Sequence, residues 1–109
     1  YWYYLPDYPR AERAFREAMR RDSRQPALYV QMAEFYSFAY REKESQADDV
    51  LREGAEANPQ NIDISKALGS VYERRGEYAL AIEWWEKALK LKPNDSAIQE
   101  KIKELRAKL

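Results

Sequence analysis

Apolar residues recur along most of this chain at three- and four-residue spacing, the period of a helix with one buried face. Ala11, Ala14, Phe15, Ala18 and Met19 form the first stripe. They predict a helix over 8–21, with Asp7 as its cap and Pro9 tolerated in the first turn. After the polar turn Asp22-Ser23-Arg24-Gln25, Pro26 opens a second helix, expected over 26–41 through Tyr29, Met32, Ala33, Phe35 and Tyr36. Ser45-x-x-Asp48 has capping-box form and predicts a third helix carrying Val50, Leu51, Gly54 and Ala55. That helix must stop before Asn58-Pro59, because the residue preceding a proline is pushed out of the α region. Asn61 is placed to cap a fourth helix ending near Arg75-Gly76, and a fifth is expected over 78–91, closed by Pro93. Ser96-x-x-Gln99 is a second capping-box pattern and predicts a last helix over 96–109. Ahead of all these stands the aromatic run Tyr1, Trp2, Tyr3, Tyr4 and Leu5, ended by Pro6 and too short to hold a helix by itself.

The stripes repeat. Ala47, Leu51, Gly54 and Pro59 recur 34 residues later as Ala81, Trp85, Ala88 and Pro93. Ala11, Phe15 and Ala18 precede Ala47, Leu51 and Gly54 by 36, and Met32, Ala33 and Tyr36 precede Leu68, Gly69 and Tyr72 by 36. All these offsets agree if two extra residues sit between Tyr36 and Ala47, in one loop.

Composition narrows the picture. Strong helix formers dominate and β-branched residues are few, so the expected class is all-α. Nineteen basic residues balance 19 acidic ones, which gives no global pull towards nucleic acid or an anionic membrane. No apolar run is long enough to insert in a membrane as a helix. The chain has no His and no Cys, which excludes Ser-His and Cys-His nucleophilic pairs, the usual zinc sites and any disulfide. Asp48-Asp49 is the one adjacent acidic pair, and neighbours on a helix point about 100° apart, so it is no catalytic dyad. The expectation is a non-enzyme without cofactor or metal. The stripe Arg13, Arg16, Arg20, Arg24 could face an acidic partner, but Glu12–Arg16 and Glu17–Arg21 are spaced as helical ion pairs. A solvated, self-paired face is the preferred reading. The start at Tyr1 without Met suggests an excised or processed piece, and nothing in the sequence chooses a compartment.

The spacing Leu68-Gly69-x2-Tyr72, Ala81-x3-Trp85 and Pro93 resembles the tetratricopeptide repeat, with Ser65 in place of its leading Trp. The resemblance implies antiparallel helix-turn-helix repeats stacked as a short right-handed α-solenoid. It divides one domain, 1–109, into a truncated first repeat (1–25), a second (26–61), a third (62–95) and a capping helix (96–109). It places Gly69 opposite Ala81, and Ala33 opposite Ala47, where paired helices cross. It has Ala18, Gly54 and Ala88 admit the first helix of the following repeat. Phe15, Tyr36, Leu51, Tyr72 and Trp85 become core between pairs, and Ser65 leaves a thinner contact than the usual aromatic. Gln99, Lys103 and Arg106 fall where further packing would occur, so the last helix is expected to cap the array. The C-terminus is then expected to be a true end, while the N-terminal end is expected to lack its preceding helix.

The function implied is a protein-interaction scaffold that holds a peptide or protein segment in its concave groove. The resemblance lines that groove with Val30, Glu34, Ser37 and Phe38 from the second repeat and with Asp63, Lys66, Ser70, Glu73 and Arg74 from the third. One subfamily binds acidic chaperone C-termini through a Lys/Asn/Arg carboxylate clamp. The matching positions here are Val30 and Glu34, or Gln31, with Asp63 and Ala67, which cannot make the clamp. Two alternatives stand beside the groove. One is a structural or self-assembly module, a homo-oligomer formed through Tyr1 to Leu5. The other is an engineered repeat scaffold.

Overall fold

Capping chemistry sets several helix starts in the computed structural model, which describes residues 7–109. The Asp7 carboxylate accepts the Arg10 N–H at 3.1 Å and opens α1 (Tyr8–Arg21). Pro26 lies in the first turn of α2 (Pro26–Glu34). α3 spans Ala47–Ala57 and stops ahead of Asn58-Pro59. The Asn61 side chain accepts the Ile64 N–H at 3.0 Å and opens α4 (Ile62–Arg74). Gly76, at φ 79°, turns the chain sharply into α5 (Tyr78–Leu91) in a left-handed conformation that favours glycine. α6 (Ser96–Arg106) follows. No strand occurs among the described residues. The opening aromatic run lies outside them.

Three sequence expectations are corrected. The second helix does not run on to Arg41 as a regular α-helix. It widens at Phe35–Ala39 into a π-turn, with the Tyr40 N–H donating to the Phe35 carbonyl at 2.8 Å. A 3-10 stretch then covers Arg41–Gln46, kinked at Lys43. The two extra residues of this repeat are thus taken up by one wide turn and one narrow segment. Ser45 does not cap α3. Gln46 holds that position without a side-chain bond, and Asp48 is drawn inward instead. Nor does Ser96 cap α6. Asp95 does, accepting the N–H groups of Ala97 and Ile98 at 3.0 and 3.3 Å. The Gln99 amide donates back to the Pro93 carbonyl, and the helix ends at Arg106.

The helices stack as antiparallel pairs in a short α-solenoid. α2 packs on α3 and α4 on α5, while α3 touches α4 and α6 closes on α5. One continuous core runs from Met19 through Met32, Tyr36, Leu51, Leu68, Tyr72 and Trp85 to Leu105. On α6, Ile98, Ile102 and Leu105 are buried, while Gln99, Lys103 and Arg106 are exposed. The small residues serve close approach, but not all against the neighbours expected. A Cβ on Gly69 would lie 2.4 Å from Nε1 of Trp85, so the nearest group there is the indole rather than Ala81. A Cβ on Gly54 would lie 2.7 Å from the Tyr29 ring, so Gly54 admits the first helix of its own pair. The buried Trp85 N–H finds no acceptor among the described residues.

Candidate functional site

Because α2 and α4 touch side by side, their outer faces border a shared furrow. Three adjoining depressions follow it. The first, about 600 Å³, lies between Ala27, Val30 and Gln31 on α2 and Asp63, Lys66 and Ser70 on α4, with Trp85 reaching it from α5. The second, about 160 Å³, is bounded by Val30, Glu34, Ser37, Phe38, Ser70 and Arg74. The third, about 550 Å³, opens beyond Ser37, Phe38 and Arg74 towards Arg41 and Glu44. Shared residues join each depression to the next.

Eight of the nine sequence-selected residues line this furrow: Val30, Glu34, Ser37, Phe38, Asp63, Lys66, Ser70 and Arg74. Glu73 does not. Its carboxylate turns to the cap, where Lys101 donates to it at 3.2 Å. Phe38 is 66% exposed, large for a phenylalanine side chain, and the Arg74 guanidinium lies 4.9 Å from its ring centroid. Arg74 also donates to the Ser37 hydroxyl at 3.2 Å. The π-turn carries both Ser37 and Phe38, so the irregular end of α2 sets where this aromatic stands. Lys66, Arg41 and Arg74 alternate with Glu34, Asp63 and Glu44, leaving the furrow mixed in charge. No cluster of His, Cys, Asp or Glu among the described residues could hold a metal ion.

Residues 63–95 match the family described as tetratricopeptide repeat. Over that stretch the chain is similar to a tetratricopeptide repeat. The solved first TPR of Spaghetti (RPAP3), bound to the HSP90 peptide SRMEEVD, superposes with a TM-score of 0.71, covering 92% of this chain and 78% of that one. At 19% identity, that likeness speaks for the fold. Anaphase-promoting complex subunit 3 of Schizosaccharomyces pombe is 29% identical over 90 residues. The match takes in 83% of this chain but only 13% of that protein.

Between successive helix pairs the structure adds polar latches that the sequence reading missed. The Tyr72 hydroxyl donates to Asp48 at 2.9 Å, and Arg75 meets the other carboxylate oxygen at 3.0 Å while also donating to the Glu44 carbonyl at 2.7 Å. One unit earlier, the Tyr36 hydroxyl donates to Glu12, and Lys43 donates to the same carboxylate at 2.8 Å. Both carboxylate–tyrosine pairs are 24 residues apart. They are offset from one another by the same 36 residues as the apolar stripe. That shared offset was the available signal. It was obscured because Asp48 fitted a capping box and Glu12 fitted a pair with Arg16. Arg16 instead meets Glu53 of α3 at 2.7 Å. Arg20 and Arg21 do pair with Glu17 along the helix.

Burial opposes ionisation of Asp48 and Glu12. The hydrogen bonds from Arg75 and Tyr72, and from Lys43 and Tyr36, outweigh it and hold both carboxyls below their ordinary range. Burial, then the carboxylate each one serves, pushes Tyr36 and Tyr72 up to about 12.

Proposed function

We propose that this chain is a non-enzymatic interaction module that holds a peptide or protein segment along the α2–α4 furrow. The observation that carries the reading is Phe38. A large apolar ring stands two-thirds exposed in the furrow, beneath an arginine and next to open volume. Water gains nothing from such a ring, whereas a partner's apolar side chain would cover it. The family match and the peptide-bound structural neighbour support a protein-binding role in general.

The acidic peptide named for that neighbour is not the ligand proposed here. Glu34 and Asp63 flank the furrow where a carboxylate-rich segment would lie, and like charges at that range repel. A partner segment with an apolar anchor and mixed charge fits better. Capture from a source lysate, followed by cross-linking and mass spectrometry, tests this. Phe38→Ala and Lys66→Glu are each expected to deplete the captured partner, and Arg13→Glu on α1 is expected to leave it unchanged. Loss only with Arg13→Glu would move the site to the arginine face and overturn the reading.

A further inference from the structure

The second cavity of consequence lies between α3 and α5, away from the furrow, and it marks a place where the two repeats differ. Its volume is about 450 Å³, and Ser65 and Trp84 both line it. Ser65 is the counterpart of Tyr29, 36 residues earlier. In the earlier unit the Tyr29 ring is buried against Gly54, and the Arg16–Glu53 ion pair stands in the electrostatic surroundings of its hydroxyl. In the later unit the ring is missing. So is the acid: Arg52 occupies the place of Arg16, but Lys87 stands where Glu53 stood, and Lys90 where Glu56 stood. Arg52, left without that partner, folds back on Asp48 and Asp49 of its own helix. Lys87 lies over the Trp84 ring at 3.9 Å, and neither Lys87 nor Lys90 has an ion-pair partner among the described residues. Around the cavity, three cations face the single carboxylate of Glu56.

The later unit therefore lacks an aromatic ring and a carboxylate at one place, and keeps the cations that would receive them. We infer that this slot takes an aromatic side chain of a partner protein, flanked in the partner's sequence by acidic residues. The ring would enter the cavity beside Ser65, against Trp84 and Leu91. The flanking carboxylates would meet Arg52, Lys87 and Lys90, replacing the missing Glu53-type contact. The site is separate from the α2–α4 furrow, and neither reading depends on the other.

Two-dimensional NMR of the full chain, following the Trp84 indole N–H, tests the inference with capped pentapeptides. The probe carries Glu-Tyr-Glu between serines, with Glu-Ala-Glu and Lys-Tyr-Lys as its counterparts. The Glu-Tyr-Glu peptide is expected to give a saturable shift. The alanine peptide should give none, and the lysine peptide should bind at least about tenfold more weakly. Ser65→Tyr, which refills the slot from within, should abolish the shift. Lys87→Glu, an exposed change that restores the earlier unit's ion pair with Arg52, should weaken binding by about tenfold. Phe38→Ala should leave it unchanged. Any of four results overturns the proposal: no saturable shift up to about 2 mM peptide, equal binding of the lysine peptide, undiminished binding by both Ser65→Tyr and Lys87→Glu, or a shift produced by raising protein concentration alone. The last would assign the slot to a second copy of this chain.

Discussion

The pairs α2–α3 and α4–α5 share one frame and use it differently. In α4–α5 a glycine at φ 79° makes the turn, and both helices stay regular to their ends. The α2–α3 pair has no glycine at its turn and carries two more residues, so the chain passes through a π-turn and a kinked 3-10 stretch. That irregularity is where Phe38 stands exposed. The opposite holds at the outer face, where the α2–α3 pair is filled by Tyr29 and the α4–α5 pair is open beside Ser65. Each unit thus departs from the shared pattern at one place, and each departure borders a cavity. The repeated positions make the scaffold, and the unrepeated ones supply its surface chemistry.

The latches are the sharpest test of that division, and the largest effect is expected there. Asp48 is 8% exposed and answers Tyr72, Arg75 and Arg52 together. Asp48→Ala leaves the half-buried Arg75 without its carboxylate and should cost about 2–3 kcal/mol. Glu12→Ala, in the more open latch of the earlier unit, should cost about 1 kcal/mol. Urea unfolding of both variants measures the difference, and equal losses would mean that the two latches are equivalent despite their burial.

Gly69 gives the next effect. A helical Gly→Ala change on an open face stabilises by up to about 1 kcal/mol. Here the new methyl would sit 2.4 Å from the Trp85 indole, so overpacking should reverse the sign and destabilise by about 1–3 kcal/mol, more for Gly69→Leu. Trp85→Phe removes the indole edge and its unpaired N–H together. In that background Gly69→Ala should lose most of its cost. A double-mutant cycle measures this coupling, and additive effects would mean that another group limits the space.

These two sites show what was legible. Apolar periodicity, prolines and Asn61 fixed five helices closely, because each signal acts within a few residues of where it stands in the chain. The furrow residues were legible too, since they follow from helix register once α2 and α4 lie side by side. Glu73 was misplaced because register alone does not reveal that Lys101 competes for it from α6. The first capping box failed for a similar reason. Asp48 has a local use at a helix start, but partners at the far end of the next helix hold it more strongly. Trp85 was assigned to the core and is there, yet its reach to the furrow depends on the absence of a side chain on Gly69.

Acid should weaken the latches before it weakens the core. Asp48 and Glu12 have folded pKa values below their ordinary 3.8 and 4.5. The unfolded chain therefore takes up these protons first as pH falls. The stability they contribute is fully present above about pH 5 and drains away as pH drops through the ordinary carboxyl range towards the folded values. Asp48→Asn should flatten that part of the stability–pH curve. A curve identical to the parent's would show that other carboxylates carry the acid sensitivity.

The smallest effect, and the most selective, is expected at the alkaline end. Tyr36 and Tyr72 are raised from 10.0 to about 12, by burial first and by the adjoining carboxylate second. A raised tyrosine pKa means that the folded state favours the neutral, donating phenol. Its contribution is present below pH 10 and is lost as pH rises towards 12. Following phenolate absorbance, Tyr36 and Tyr72 should ionise late, towards pH 12. Asp48→Asn removes the carboxylate charge from Tyr72 alone, so it should bring one of the two late tyrosines back towards pH 10 while leaving Tyr36 late. If both remained late, burial alone would account for the shift, and the carboxylate would have no separate influence on the phenol. If both moved together, the two latches would be coupled through the stack rather than independent copies of one device.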